Sequence, residues 1–178
     1  MIAAIVQARM GSTRLPGKVL KKVGDKTLLE HIIRRLQKAK TIETIIVATT
    51  DARKDNPVVR EATRLGISVF RGDENDVLDR YYKAALACKA DTVVRITADY
   101  PLIDPALVDK VVRAYREGNG RYDYVSNVMP QTFPIGMAVE VFSFAALTEA
   151  WQEAKTPLER EHVTLYLRDR NNPFRRKN

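Results

Sequence analysis

The sequence has one cysteine, two histidines and few aromatic residues among its 178 positions. The single Cys88 excludes an intramolecular disulfide framework and a cysteine-rich zinc site, which is typical of a protein in a reducing cytoplasm. No stretch approaches the ~18 consecutive apolar residues of a membrane-spanning helix, and the opening MIAAIVQARM has no basic leader before its short apolar run. We therefore expect a cytoplasmic protein that is not secreted and has no membrane partner.

Positive charge is in excess, because 30 Lys and Arg residues face 22 Asp and Glu residues, a formal net charge of +8. Residues 1–40 hold ten basic and two acidic residues, whereas residues 41–178 hold twenty of each. Such a local concentration favours one anionic ligand over nucleic acid, which usually contacts a longer basic stripe. A solvated basic helix carrying Arg34, Arg35 and Lys38 is the alternative. Nucleic-acid binding through this segment and the 175–177 tail is the least favoured interpretation, and we expect no nucleic-acid partner.

Hydrophobic periodicity predicts that strands and helices alternate four times. Short β-branched runs predict strands at 2–6, 44–49, 67–70 and 92–97. Capping residues, and Pro or Gly at the helix ends, predict helices at 28–36, from Asn56 to Gly66, at 77–89 and at 105–116. Because these connections are too long for hairpins, we expect parallel strands with right-handed crossovers, and hence an α/β fold.

The pattern changes after Gly120. Residues 122–126 and 137–142 read as strands, separated by a loop with Pro130, Pro134 and Gly136 that is a candidate to face substrate. Thr156 and Glu159 form a capping box that predicts a helix to about residue 168. Since no repeat, low-complexity tract or linker interrupts the chain, we expect one domain over 1–178.

The loop at residues 9–18 carries the strongest functional signal. Gly11 and Gly17 allow its backbone N–H groups to turn toward an anion, and Arg9, Arg14 and Lys18 add positive charge. Ligands of open α/β sheets bind beyond the carboxyl ends of the strands, where this loop begins. Because the loop is positively charged, we expect a polyphosphate as its ligand.

The same loop is not a Walker A loop, which has four residues between its glycines and Ser or Thr after its Lys. Here five residues separate Gly11 from Gly17, and Val19 follows Lys18. A basic turn that only connects two elements is the structural alternative.

The stretch QARMGSTRLPGKVL at residues 7–20 resembles the opening of the spore coat polysaccharide biosynthesis protein F (SpsF) family. That family is related to the cytidylyltransferases that activate acidic sugars such as 3-deoxy-manno-octulosonate and N-acetylneuraminate. Further similar segments lie at residues 28–31, 46–50, 69–73, 76–82, 99–104 and 160–164.

The resemblance implies a three-layer α/β/α, Rossmann-like nucleotide-diphospho-sugar transferase fold with a mostly parallel mixed sheet. It implies CTP or another nucleoside triphosphate as one substrate, a sugar or sugar acid as the other, and a possible homodimer. The implied nucleotide-binding residues are Ala8, Arg9, Met10, Gly11, Ser12, Thr13, Arg14, Lys18, Arg71 and Arg80. Lys18 and Arg14 would be catalytic, stabilising charge on the leaving pyrophosphate, and Asp99 would hold Mg²⁺. The implied sugar-binding residues are Gly136, Glu140 and His162.

Simpler roles remain open for several of these residues. Asp99 could be a turn former, Glu140 an exposed residue beside a strand, and His162 a structural side chain. Arg71 and Arg80 could be solvated or ion-paired groups.

Two departures from the family pattern support an alternative function. Ile135 and Ala138 stand where family members usually carry Asp, in an Asp-Gly-x-Asp-x-Glu run. The chain also ends before the Asp-bearing strand that supplies a second metal ligand in related enzymes. The expected function is transfer of CMP from CTP to a sugar or sugar acid in polysaccharide biosynthesis, with release of pyrophosphate. The alternative is a catalytically impaired or truncated nucleotide- or sugar-binding module of the same fold.

Overall fold

The computed structural model describes residues 1–12 and 15–178. Within these residues the strands are β1 (Ile2–Gln7), β2 (Lys22–Val23), β3 (Lys26–Thr27), β4 (Thr44–Thr50), β5 (Ser68–Gly72), β6 (Thr92–Thr97), β7 (Tyr124–Ser126), β8 (Glu140–Ser143) and β9 (Arg176–Lys177). The α-helices are α1 (Leu28–Leu36), α2 (Asn56–Arg64), α3 (Val77–Ala87), α4 (Pro105–Glu117), α5 (Phe144–Glu153), α6 (Pro157–Glu161) and α7 (Leu165–Arg168). Short 3-10 helices lie at Lys18–Leu20 and Arg53–Asp55.

The main sheet has the strand order β5-β4-β1-β6-β8-β7-β9 in the described part of the chain. Neighbouring strands are parallel except at β8, which pairs antiparallel with both β6 and β7. The carboxyl ends of β1, β4 and β6 therefore lie at one edge, and β8 begins at that same edge. The register places Gln7 opposite Thr97 at this edge, and Arg95 opposite Glu140 one strand farther along.

Helices cover both faces of the sheet, because side chains alternate between the faces along each strand. On one face, α1, α2 and α4 pack against residues such as Ala4 and Val6 of β1. On the other face, α3, α5 and α7 pack against residues such as Ala3 and Ile5. This arrangement confirms the predicted α/β class, the three α/β/α layers and the mostly parallel mixed sheet.

The predicted strands and helices up to residue 117 are confirmed, with ends shifted by one or two residues. Asp76 and Asp104 cap α3 and α4, since their carboxylates accept hydrogen bonds from the N–H groups of Asp79 and Ala106 at 2.8 Å. The first capping box forms only in part. Thr27 accepts the bond from the Glu30 N–H, whereas the Glu30 carboxylate binds Arg34 and Arg64 instead.

The strand predicted at 137–142 begins later, at Glu140. Residues ahead of it bond within the loop, where the Val139 N–H donates to Asn127 Oδ1 at 2.9 Å rather than to a neighbouring strand. The strand predicted at 122–126 also starts two residues late, at Tyr124.

The single helix predicted from the second capping box is wrong beyond residue 161. The capping box of Thr156 and Glu159 is present, but helix α6 ends at Glu161. The chain becomes helical again only at Leu165, the start of α7. Val163 has φ of 37°, which a helix does not allow, and its side chain is fully buried. This break lets the Thr164 hydroxyl donate to Glu140 Oε1 at 2.8 Å. Helix α5, between β8 and the capping box, was not predicted.

The longest described helix, α4, has 13 residues, and among the described helices there is no candidate for a membrane span.

Candidate active site

A cleft opens at the edge of the sheet where β1 and β6 end. Lys18 follows Gly17 in the loop after β1, and Asp99 lies two residues beyond β6. Their side chains meet, with Lys18 Nζ 2.7 Å from Asp99 Oδ1. The fold therefore brings together Lys18, a predicted catalytic residue, and Asp99, the predicted metal ligand, although 81 positions separate them in the sequence.

The first loop is held in shape by contacts to its own backbone and to a buried carboxylate. Gly17 has φ of 68°, and its N–H donates to the Met10 carbonyl at 2.9 Å. Asp55 is fully buried and accepts a hydrogen bond from the Met10 N–H at 2.6 Å and another from the Thr50 hydroxyl. Because an unpaired buried carboxylate is costly, these bonds fix the start of the loop against the end of β4.

We name the space beside the Lys18–Asp99 pair the edge cleft; its volume is about 290 Å³. It is lined by Gln7, Arg9, Gly11, Ser12, Lys18, Val19, Val77, Arg95, Thr97, Ala98, Asp99, Glu161 and His162. Four of the predicted nucleotide-binding residues thus face one cleft, together with Asp99. Ala8 and Met10 belong to the same loop but do not line the cleft, and Thr13 and Arg14 lie outside the described residues.

A second space, which we name the loop cavity, lies beside the edge cleft and has a volume of about 200 Å³. It is lined by Arg95, Tyr100, Asn127, Val128, Gln131, Phe133, Pro134, Ile135, Gly136, Met137, Ala138, Glu140 and Arg168. The loop between β7 and β8 forms most of it. Of the predicted sugar-binding residues, Gly136 and Glu140 line this cavity, whereas His162 lines the edge cleft.

Glu140 is buried, so the alternative that it is simply an exposed residue is wrong. Its Oε1 accepts hydrogen bonds from the hydroxyls of Tyr124 at 2.6 Å and Thr164 at 2.8 Å. Its Oε2 forms an ion pair with Arg95. Burial alone would raise the pKa of Glu140, but the charge of Arg95 and the two hydroxyl bonds bring it below the ordinary value.

Arg71 and Arg80 are not among the residues that line either space. Arg71 donates from Nε and Nη2 to the carbonyl groups of Thr50, Asp51 and Ala52, at 3.0 to 3.1 Å. Arg80 is fully buried under the turn after β5, where its Nη1 donates to the Asp73 carbonyl at 2.8 Å. Its Nε and Nη2 have no hydrogen-bond partner among the described residues. Burial, followed by the nearby charge of Arg9, lowers the pKa of Arg80.

Sequence reasoning missed several residues of the site, notably Gln7, Arg95 and Thr97. Gln7 and Thr97 are polar residues at the last positions of apolar strands. Arg95 is a charged residue inside the buried run TVVRIT. Each of these is a local signal that could have been found. Asp55 offers no comparable signal, because its role depends on the path of the chain around it.

The residues present fit a magnesium ion that takes most of its ligands from phosphates and water. No group of three or more His, Cys, Asp or Glu side chains suited to hold a metal occurs within residues 1–12 and 15–178. Magnesium, however, commonly binds proteins through only one or two carboxylates plus substrate phosphates. Asp99 supplies a carboxylate with 43% of its side chain exposed. Gln7 adds a buried oxygen, Oε1, that has no hydrogen-bond partner in the described chain.

Known proteins are similar to this chain over most of its length. The chain is 36% identical over 173 residues to spore coat polysaccharide biosynthesis protein SpsF of Bacillus subtilis, a match covering 94% of this chain and 70% of SpsF. It is 31% identical over 179 residues to a 3-deoxy-manno-octulosonate cytidylyltransferase of Anaeromyxobacter dehalogenans, covering 93% of this chain and 72% of that enzyme.

A solved cytidylyltransferase from Leptospira borgpetersenii has the same fold. It superimposes with a TM-score of 0.95 at 37% identity, and the match covers 99% of this chain and 74% of the other. A sequence model described as cytidylyltransferase matches residues 3–178, nearly the whole chain. These findings confirm the resemblance noted above and the predicted fold: the chain belongs to the cytidylyltransferase family.

Proposed function

We propose that this protein is a magnesium-dependent cytidylyltransferase that transfers CMP from CTP to a hydroxyl of a sugar or sugar acid, in polysaccharide biosynthesis. The observation that carries the proposal is the contact between Lys18 Nζ and Asp99 Oδ1, 2.7 Å apart, in the lining of the edge cleft. A cation for phosphate oxygens and a carboxylate for a metal thus face the same space. The family membership and the names of the two relatives support CTP and a sugar as substrates.

The reaction we propose is an in-line displacement at the α-phosphorus of CTP. An oxygen of the acceptor forms the new bond to this phosphorus, and the bond to the bridging oxygen of the β-phosphate breaks. The products are the CMP-sugar, pyrophosphate and the proton of the hydroxyl. Since phosphoryl-type transition states need little covalent help, positioning and charge stabilisation supply most of the catalysis.

The first loop would bind the triphosphate. Arg9, Ser12 and Lys18 already line the edge cleft, and Arg14 is predicted to join them. Lys18 would stabilise the negative charge that develops on the leaving pyrophosphate, which is where a preorganised cation is most effective. Arg80, whose Nε and Nη2 have no hydrogen-bond partner in the described chain, would add positive charge from beneath the turn after β5 without lining the cleft. Arg71 would act indirectly, by fixing the backbone after β4.

Magnesium, when bound, would neutralise charge on the phosphate oxygens. Asp99 would hold the ion from the end of β6, with the Gln7 side chain beside it. The loop cavity, which Gly136 and Glu140 line, would take the acceptor sugar, and His162 would contact the sugar from the edge cleft. A homodimer remains a prediction, for which sedimentation equilibrium is the direct test.

The proposal is tested by incubating the protein with CTP, magnesium and a panel of sugar acids while following pyrophosphate. We expect Lys18→Ala to cut turnover by roughly two to three orders of magnitude, since one preorganised charge contributes about 3–4 kcal/mol to transition-state stabilisation. The matched control is Lys21→Ala, which removes an exposed lysine three positions later and should leave turnover unchanged.

Two outcomes would contradict the proposal. Near-normal pyrophosphate release by Lys18→Ala would remove this lysine from the mechanism. Magnesium-dependent thermal stabilisation by CTP, with no pyrophosphate from any acceptor, would instead favour the non-catalytic binding module.

A further inference from the structure

Arg95 occupies the wall between the edge cleft and the loop cavity, and it lines both. It lies in the central part of β6, where its neighbours Val93, Val94 and Ile96 belong to the core. A charged side chain is costly at such a position unless its partners are well placed. Only 16% of the Arg95 side chain is exposed.

Glu140 holds Arg95 in place from the neighbouring strand. The two residues are directly opposite in the antiparallel pairing of β6 and β8, so their side chains leave the sheet on the same face. Glu140 is itself fixed by hydrogen bonds from the hydroxyls of Tyr124 and Thr164. Its Oε2 accepts a hydrogen bond from Arg95 Nη1. This network leaves the guanidinium little freedom to turn.

The network does not satisfy the whole guanidinium. A guanidinium has five N–H donors, and the Arg95 Nε is buried without a hydrogen-bond partner among the described residues. Arg168, which also lines the loop cavity, likewise has a buried Nε without a hydrogen-bond partner in the described part of the chain. The charged residues lining this cavity are Arg95, Arg168 and Glu140, two positive and one negative. Their sum of +1 favours a ligand that brings one negative group.

Resting on the proposed function, the geometry points to Arg95 as a specificity-determining residue that donates to an oxyanion of the acceptor, with Glu140 as its positioning residue. The acceptor's carboxylate or phosphate group would lie at the junction of the two spaces, and its reacting hydroxyl would face the edge cleft. Arg168, which lines the same cavity, would be the second donor to this group. An oxyanion can accept charge-assisted hydrogen bonds from the planar fork of a guanidinium, whereas a neutral hydroxyl accepts only a weaker bond.

The direct test follows the Arg95 Nε–H signal by nuclear magnetic resonance in the full, ¹⁵N-labelled chain. The signal is assigned by its absence from Arg95→Lys. Four probes are titrated: 3-deoxy-manno-octulosonate as a sugar carboxylate, glucose 6-phosphate as a sugar phosphate, glucose as a neutral sugar, and CTP with magnesium. We expect one charged sugar to shift the signal, and this sugar identifies the oxyanion as carboxylate or phosphate. We expect glucose to leave the signal unchanged.

Enzyme kinetics provide a second test. For the sugar that shifts the signal, Arg95→Lys should raise the acceptor KM by about 10- to 100-fold, the loss of affinity expected when a charge-assisted hydrogen bond is removed. The dissociation constant for CTP should stay within about twofold of the wild-type value. The double variant Arg95→Met/Glu140→Gln removes both charges at similar volume, so the fold should persist while preference for the charged sugar is lost. Arg113→Lys changes an exposed arginine on α4 and is the control.

The failures of the two proposals can be told apart. An Arg95 signal that responds to CTP but to none of the sugars overturns the inference and assigns the residue to the nucleotide. An unmoved signal beside normal pyrophosphate release overturns the inference and leaves the proposed function standing. A signal shifted by a charged sugar, without pyrophosphate release, supports the oxyanion site and contradicts the catalytic proposal.

Discussion

Glu140 keeps its negative charge in a buried position because three protein groups bind it at once. Its pKa is lowered despite burial, so the carboxylate stabilises the folded state at any pH above the ordinary value of 4.5. This stabilisation is lost as the pH falls through the lowered pKa. Glu140→Gln should therefore cost about 3–5 kcal/mol of unfolding free energy at neutral pH, since it leaves Arg95 without its counter-charge. The difference from wild type should shrink under acid conditions.

Urea unfolding of wild type and Glu140→Gln across a pH series measures this effect. Glu117→Gln, at an exposed position in α4, is the control and should change stability by no more than about 0.5 kcal/mol. A stability difference that stays constant from neutral pH to well below 4.5 would show that the buried charge is not its cause.

At the scale of elements, the first loop depends on a left-handed turn. Gly17 has φ of +68°, and an added Cβ would lie 3.0 Å from Met10 Cε. Gly24 has a similar φ of +65°, with nothing within 4 Å of an added Cβ. We expect Gly17→Ala and Gly24→Ala each to cost roughly 1–2 kcal/mol of stability, because both place a side chain in the left-handed region. Only Gly17→Ala should also weaken CTP binding, since Gly17 immediately precedes Lys18.

Thermal melting and calorimetric titration with CTP separate the two effects. Equal losses of CTP affinity in both glycine variants would mean that general destabilisation, and not the shape of the loop, weakens binding.

The elements that the sequence predicts well are those whose signals are local. The β-branched run TIIVAT favours a strand through its own residues, and Asp104-Pro105 supplies an N-cap followed by a proline in the first helical turn. The break after His162 is different, because it is stabilised by the bond from Thr164 to Glu140 on a distant strand. Arg95 shows the same limit within the site. Its charge in an apolar strand is visible in the sequence, but its partner is set by the antiparallel register of β8.

At the scale of the whole molecule, folding brings an acidic residue from elsewhere in the chain to the basic amino-terminal segment, because Lys18 pairs with Asp99. Lys26 and Arg34 pair within the segment, with Asp25 and Glu30. Arg9 and Lys18 face the edge cleft. We therefore expect CTP affinity to fall with rising ionic strength more steeply than CMP affinity, because the triphosphate carries more charge into a partly exposed site. Calorimetric titrations with both nucleotides at about 50 and about 500 mM KCl measure the two slopes. Parallel slopes would show that the added phosphates gain nothing from these cations.

The reversed direction of β8 has a consequence for how such enzymes can diversify. The segment at 127–139 leaves the sheet after Ser126 and returns at Glu140, and these two residues are directly paired. Its two ends are thus anchored side by side, and insertions or replacements between them need not disturb β1, β6 or the first loop. If the loop cavity takes the acceptor as proposed, exchange of this segment would alter the choice of sugar and leave the proposed nucleotide-binding residues of the first loop unchanged.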